Sequence, residues 1–320
     1  MAEKNSKNLN YVFWGTALFG AIILEELVKN NLFPHAVITQ PDKPQGRGKK
    51  VSFSPVKEIS LKYNLKILQP KDISNNLQFV NLLKKFKPEL FILAGYGKIL
   101  PLEIINLPQF GSLNIHPSLL PKYRGASPVQ FTILNNDKIT GISIILMDEK
   151  MDHGPIVAQE KIKINPQSIT APELSSKLAY LSAKTLLKTI PLWLNKKITP
   201  IPQKDSQATY TKIIQKKHGE INWNNSAEFI ERMTRAFTPW PSAYTKWDNK
   251  IIKILKAKVV KNQIKKITPG RVFLNENKEF CIGTGQGILI VEKIQIQGKK
   301  PVSAKDFLNG YQQIIGAILG

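Results

Sequence analysis

The sequence predicts an α/β domain of Rossmann-like kind on a mostly parallel sheet, followed by a small β-barrel of OB-like kind. Three observations predict it. The chain opens on an apolar strand, a glycine turn and a helical pattern, the βα unit from which parallel sheets are built. Leu90-Phe-Ile-Leu-Ala94 is apolar without a break, as a strand covered on both faces must be. From Ala243 onward the texture changes to five or six short alternating strands in about 85 residues, the pattern of a small all-β module.

Bulk properties narrow the classes. With 320 residues the chain has room for two domains, and an apolar fraction of 42% suffices for ordinary cores. No apolar run is long enough to span a membrane. The first ten residues are polar and lack the apolar stretch of a secretory signal, so residues 1–8 are expected as a disordered lead and the compartment as cytoplasmic. A single cysteine, Cys281, excludes an intramolecular disulfide, and one Cys with four His gives no convincing metal set. The 46 basic and 23 acidic residues leave a net charge of +23, which a polyanionic partner would explain. A composition rich in Lys, Asn and Ile also raises lysine counts by itself, so charge alone does not name that partner.

In order, Tyr11 to Gly15 reads as a strand and the following stretch to about Asn30 as a helix, with Ala21, Leu24, Leu27 and Val28 at helical spacing. The turn lacks both the dinucleotide and the P-loop glycine patterns. Ala36 to Thr39 is a strand, and Gln40 to Lys50 a Pro-, Gly- and cation-rich connector. Ser54-Pro55 caps a helix to Lys62. Ile67-Leu68 is a strand and 75–86 a helix; Leu90 to Ala94 then exits into Gly95-Tyr-Gly-Lys-Ile-Leu-Pro101.

Gly111 to His116 alternates like a strand, and Pro117 and Pro121 stop it. Asn114 and His116 stand two apart on one face, at the strand end where open α/β sheets place ligands. Taken alone they could equally be a capping Asn and a surface His. A helix over 128–134 and a strand over 140–147 lead to an acidic loop, Asp148 to Pro155, in which Asp148 and Asp152 are equal candidates, since acids are common in turns. A strand over 156–164 and a capped helix from Thr170 to about Leu194 complete a domain expected over 9–195. Residues 196–211 read as a linker and 212–320 as the second domain, with a helix near 226–236 and another over 303–310. No acid occurs between Asp248 and Glu276, whereas Lys250, Lys253, Lys256, Lys258 and Lys261 lie there; a solvated lysine-rich edge strand would look the same.

The run Asn114-Ile-His-Pro-Ser-Leu-Leu-Pro-Lys-Tyr-Arg-Gly125, with Met151-Asp-His-Gly154, resembles the signature of the folate-dependent formyltransferases. The Gly46-Arg-Gly-Lys-Lys50 loop, Arg235-Ala-Phe-Thr-Pro-Trp-Pro241 and the basic second domain are similar to the branch acting on methionyl-tRNA. That resemblance implies a Rossmann-like catalytic domain, 10-formyltetrahydrofolate as formyl donor, initiator methionyl-tRNA as acceptor, and a monomer without metal or membrane. It assigns catalysis to Asn114, His116 and Asp152, with His153 a bystander. It assigns folate contacts to Gly97, Lys98, Ile99, Leu100, Ser118, Leu119, Leu120 and Pro121, with Tyr123 to Gly125 shaping the entrance. Arg47, Lys49 and Lys50 would meet the acceptor end of the tRNA, and the second-domain lysines its backbone. The Arg235 segment is expected to seat the second domain. One departure is Ala17, where this branch usually has proline after Gly-Thr, so the turn is expected to be less rigid.

The implied chemistry suits the residue types. The neutral α-amine of methionine attacks the formyl carbon and an oxyanion develops; one well-placed donor such as the Asn114 amide is worth about 3 kcal/mol there. A carboxylate beside the imidazole orients it, raises its pKa and can relay a proton from attacking amine to leaving nitrogen. Two other readings stand beside this one. A glycinamide ribonucleotide acceptor would suit a one-domain chain without the basic loop, and the extra basic domain counts against it. An amino-sugar acceptor would call for a second nucleotide-binding domain with its own glycine fingerprint, which the sequence does not show. A non-catalytic RNA-binding protein would not need an intact Asn114, His116 and Asp152.

Overall fold

The computed structural model describes residues 8–45, 50–260 and 267–320, with side chains throughout except at 44, 45, 50 and 51. The chain runs β1 (Tyr11–Gly15), α1 (Leu18–Lys29), β2 (Ala36–Ile38), β3 (Lys43–Gln45), β4 (Lys50–Ser52), α2 (Pro55–Lys62), β5 (Ile67–Leu68) and α3 (Leu77–Phe86). It continues with β6 (Leu90–Ala94), α4 (Leu102–Ile105), β7 (Ser112–His116), β8 (Arg124–Gly125), α5 (Pro128–Leu134), β9 (Ile139–Leu146), β10 (Ile156–Lys163) and α6 (Ala171–Leu194). After β11 (Tyr210–Thr211) come α7 (Ala227–Ala236), β12 (Ala243–Trp247), β13 (Lys250–Val260), β14 (Val272–Leu274), β15 (Phe280–Gly283), β16 (Ile288–Ile296), β17 (Val302–Ser303) and α8 (Ala304–Gly310). The longer elements lie where hydrophobic periodicity puts them, whereas α4, β8 and β11, the last in the stretch read as a linker, follow from no such pattern. The connector after β2 differs, because β3 and β4 pair in antiparallel register.

Two compact units divide the chain. The first comprises residues 8–128, 139–163 and 175–211, and the second 129–138, 164–174 and the described residues from 212 to 320. Two segments inside the 9–195 stretch therefore group with the second unit.

The first unit holds a seven-stranded sheet in the order β10-β9-β7-β6-β1-β2-β5. From β7 to β5 every pairing is parallel, and β9 and β10 add antiparallel strands at the other end. All five residues of β1 and of β6 are buried, which is why neither alternates. On one face Trp14 makes edge contacts with Phe79, Phe91 and Tyr96 at centroid distances of 6.1, 5.5 and 5.3 Å. Each such pair adds about 0.5–1.5 kcal/mol beyond its burial. Helix α2 starts as its sequence dictates, with Ser54 Oγ accepting from Lys57 N at 3.1 Å. Helix α1 sits hard against the end of β6. A Cβ at Gly20 would come 2.3 Å from the Ala94 carbonyl oxygen, so only glycine permits that approach.

The turn between β1 and α1 is tied by its main chain. Thr16 N and Ala17 N both donate to the Gly95 carbonyl, at 3.1 and 3.2 Å, and Thr16 Oγ1 donates to the Tyr96 carbonyl at 2.9 Å. Proline at 17 could not make the second of these bonds, so alanine gives up ring rigidity and gains a hydrogen bond.

The second unit holds an antiparallel sheet in the order β12-β13-β16-β15-β14, with β17 on β16. The pairing path is open among the described residues, a curled half-barrel. Register shifts between Ile254 and Ala257 bend β13, as bulges do. Helices α7 and α8 cover the sheet, and Phe280, Phe307 and Tyr311 stack at 6.0 and 4.7 Å. Arg235, expected to seat the second domain, is 8% exposed in α7. Its Nε and Nη2 donate to the two Glu231 carboxylate oxygens at 2.6 and 2.7 Å, and Nη1 donates to the Ile169 carbonyl at 3.0 Å. Removing one member of a buried ion pair costs about 3–5 kcal/mol, because the other is left uncompensated. Arg235→Ala is therefore expected to lose about that much in urea unfolding, and a loss below about 1 kcal/mol would refute this reading.

Candidate active site

The site grows from β7. Register pairs Leu93 of β6 with Asn114, so the Gly95–Pro101 turn leaves the sheet beside Asn114 and His116. On the other side Asn114 pairs with Ile145 and His116 with Ser143. The two side chains share a face, as strand alternation requires, and the loop after β9 returns over that face.

Asp152 is the point of convergence. Its Oδ1 accepts from Asn114 Nδ2 at 3.2 Å and lies 3.5 Å from His116 Nδ1, and its Oδ2 accepts from Gly125 N at 2.7 Å. The sequence-predicted catalytic trio is thus brought together, with a main-chain donor that sequence reasoning missed. Asp152 sits at φ 51°, in the left-handed region. Asp148, the equal candidate, does something else: its carboxylate caps Lys150 N at 3.0 Å and meets His153 Nδ1 at 2.6 Å.

His116 is 4% exposed and both ring nitrogens are engaged. Nε2 donates to the Tyr123 carbonyl at 2.9 Å, since a carbonyl can only accept. The Nε2 proton is therefore fixed, and Nδ1 is the nitrogen that faces Asp152. The imidazole faces the carboxylate and not the solvent. The Asn114 amide, half-buried, spends one N–H on Asp152 and has a second to donate.

The residues assigned to folate fall into two sets. Gly97, Lys98 and Ile99 are exposed, with Ile99 78% accessible, and Leu100 is buried in the core. Lys98 Nζ donates to the Lys71 carbonyl at 2.9 Å, which anchors that turn. Ser118 and Leu120 are buried and their polar groups are used internally: Ser118 Oγ donates to Lys122 O at 2.6 Å, and Leu120 N donates to Ser143 Oγ at 3.0 Å. Leu119 and Pro121 are partly exposed. Among the described residues no group of three or more His, Cys, Asp and Glu is placed to hold a metal.

The neighbouring segment 201–211 is bonded along its length. Ile201 pairs with Ile156, and Tyr210 and Thr211 pair with Arg124 and Gly125 of β8. Arg124, 2% exposed, donates from Nη2 to Asp205 Oδ1 at 2.9 Å, which holds the Asp205 carboxyl below its ordinary pKa. His153 Nε2 lies 3.4 Å from the other Asp205 oxygen, so the expected bystander bridges the acidic loop to this segment.

Of the residues assigned to tRNA, Arg47, Lys49 and Lys261 lie outside the described residues, and Lys50 is placed by its backbone alone, in β4. Lys250, Lys253, Lys256 and Lys258 are all on β13. Strict alternation would turn Lys256 and Lys258 to the side of Ile252 and Ile254. The register shift before Ala257 reverses the parity, so Lys253, Lys256 and Lys258 all lie off the buried face. Lys256 Nζ pairs with Glu292 Oε2 at 3.0 Å, and Lys258 pairs with the other oxygen of the same carboxylate.

Comparison with known proteins gives one consistent result. Residues 8–190 match the family model described as formyl transferase, and residues 213–312 match that of the formyl transferase C-terminal domain. The chain is 42% identical over 311 residues to a methionyl-tRNA formyltransferase of Caldanaerobacter subterraneus subsp. tengcongensis, covering 97% of this chain and 100% of the relative. It is 39% identical over 311 residues to one of Clostridium novyi, with coverage of 97% and 100%. Among solved structures, HypX from Aquifex aeolicus in complex with tetrahydrofolic acid superposes with a TM-score of 0.62 at 16% identity, covering 96% of this chain and 48% of that one. The sugar 3N-formyl transferase WlaRD superposes with a TM-score of 0.63 at 22% identity, covering 91% and 99%. These two share the fold.

Proposed function

The chain belongs to the formyl transferase family, at the level of its methionyl-tRNA formyltransferases, and from that premise we infer what its residues do. It transfers the formyl group of 10-formyltetrahydrofolate to the α-amine of methionine on initiator methionyl-tRNA, for translation initiation. The observation that carries the residue assignment is the convergence of Asn114, His116 and Gly125 N on one carboxylate, Asp152.

The donor supplies an activated formyl carbon. Asn114 offers its second N–H to the oxygen on which charge develops when the amine attacks. Asp152 takes the proton released by the amine, and His116, through Nδ1, shares it until it passes to the leaving nitrogen. The Gly97–Leu100 turn and the Ser118–Pro121 segment bound the pterin side. All three reacting side chains come from one chain, so a monomer suffices. No described helix is long and apolar enough to cross a membrane, and the proposed compartment is the cytoplasm, where translation takes place. The deciding assay measures formyl transfer from 10-formyltetrahydrofolate to charged initiator tRNA against transfer to glycinamide ribonucleotide. Activity on the nucleotide alone would overturn the acceptor assignment.

The outward face of β13 is the proposed tRNA backbone surface, together with the Arg47 to Lys50 loop. Glu292 competes there, because one carboxylate neutralises two lysines. Glu292→Gln is expected to tighten tRNA binding at low salt and to steepen the dependence of log K on log salt, by up to about 0.9 per added phosphate contact. Filter binding across a salt series measures both, and an unchanged slope and affinity would remove this face from the interface.

A further inference from the structure

We propose that Gln203 is a positioning residue of the formyl-transfer site, holding Asp152 where it can exchange a proton with His116. The inference deepens the function proposed above and rests on it. Gln203 lies in the Pro-rich stretch between the helical part of the first unit and residue 212, where nothing in its sequence surroundings marks it.

Its amide is used at both ends. Nε2 donates to the main-chain carbonyls of Asp152 and Gly154, at 2.9 and 2.8 Å, which accounts for both amide hydrogens. Oε1 accepts from Arg124 Nε and Nη2, at 3.1 and 2.9 Å, the two parallel donors of a guanidinium edge. These contacts fix which way the amide points, because the reverse orientation would set donors against Arg124 and an acceptor against two carbonyls.

The same partners hold the carboxylate from its other side. Arg124 precedes Gly125, whose N–H donates to Asp152 Oδ2 at 2.7 Å. The strand pair that sets Gly125 is itself clamped: Tyr123 N donates to Thr209 Oγ1 at 2.8 Å, and Arg124 N donates to the Thr209 carbonyl at 2.8 Å. Asp152 is thus gripped at its peptide by Gln203 and at its carboxylate by Gly125, and Arg124 joins the two grips. The grip matters because Asp152 stands in a turn, at φ 51°, and these bonds set where that turn places its carboxylate. With Oδ1 at 3.5 Å from His116 Nδ1, a small drift of the loop decides whether the two groups can share a proton.

The test is Gln203→Met, which keeps the length and volume of the side chain and removes all four hydrogen bonds. Because misplacing a reacting group by about 1 Å costs on the order of 10²-fold, kcat is expected to fall about ten- to a hundredfold. KM for the charged tRNA and for the formyl donor should stay near wild type, and the pH profile of kcat should change, because the spacing of Asp152 Oδ1 from His116 Nδ1 sets how readily the two exchange a proton. Wild-type kcat and pH profile in the variant, or a loss confined to KM, would overturn the proposal. If thermal melting shows Gln203→Met unfolded, Gln203→Glu decides by the same readouts: it retains acceptors for Arg124 and sets a carboxylate against the Asp152 and Gly154 carbonyls. Wild-type protein assayed in parallel separates the two claims. Absent transfer to methionyl-tRNA in wild type sinks the functional reading, whereas active wild type with an equally active variant sinks only the role of Gln203.

Discussion

Asp152→Asn is expected to lower turnover by about 10²–10⁴-fold, the usual worth of a positioned general acid–base group, while tRNA affinity stays unchanged. The substitution is a clean probe because asparagine tolerates the left-handed backbone that Asp152 adopts at φ 51°. Its amide oxygen can still accept from Gly125 N, now 2.7 Å from Oδ2, so the loop keeps its anchor. The new amide nitrogen then faces Asn114 Nδ2, at 3.2 Å from the present oxygen, and sets donor against donor. It can donate to His116 Nδ1 but cannot take a proton from an amine. Single-turnover formylation separates chemistry from tRNA binding, and near wild-type turnover would show that the carboxylate does not move the proton.

Much of the frame is legible in the sequence because burial and capping leave local marks. The unbroken apolar run Leu90 to Ala94 reads as a strand covered on both faces, and it is one. Ser54-Pro55 opens α2 and Ser226 opens α7 through the hydrogen bonds their hydroxyls are suited to accept. Asn114 and His116 are legible as a pair because a strand has a period of two. Asp152 is not legible from its residues alone. Two acids four apart in one loop look alike until the backbone turns one of them to His153 and the other to Asn114.

What escapes the sequence is whatever depends on main-chain donors or on register. Gly125 N carries no side-chain label. Gln203 acts through an amide that could belong to any surface loop, and residues 201–211 lack the periodicity that announces structure, although they pair with both β8 and Ile156. The lysine row of β13 reads as a charge cluster, yet its spacing of three and then two agrees with one face only because the register shifts between Ile254 and Ala257. Nor could the sequence state that His116 spends Nε2 on the Tyr123 carbonyl, which leaves a single ring nitrogen for chemistry.

Gly125→Ala is expected to cut kcat by on the order of 10²-fold and to lower the melting temperature, through one displacement with two consequences. Gly125 has φ 106°, a conformation that residues with a Cβ rarely adopt, and a Cβ there would lie 2.6 Å from the Thr211 carbonyl oxygen. That oxygen cannot swing aside as a side chain can, because Thr211 is paired with Gly125 in the short parallel sheet. Relief requires Gly125 to move away from Thr211, and its N–H, which holds Asp152 Oδ2 at 2.7 Å, moves with it. Gly298→Ala separates strain from displacement, since Gly298 has φ 82° but nothing within 4 Å of its Cβ position. The control should lose stability and keep its kcat, whereas Gly125→Ala should lose both. If Gly125→Ala keeps kcat within about threefold of wild type, a barrier change below about 1 kcal/mol, the Gly125 amide does not position the carboxylate.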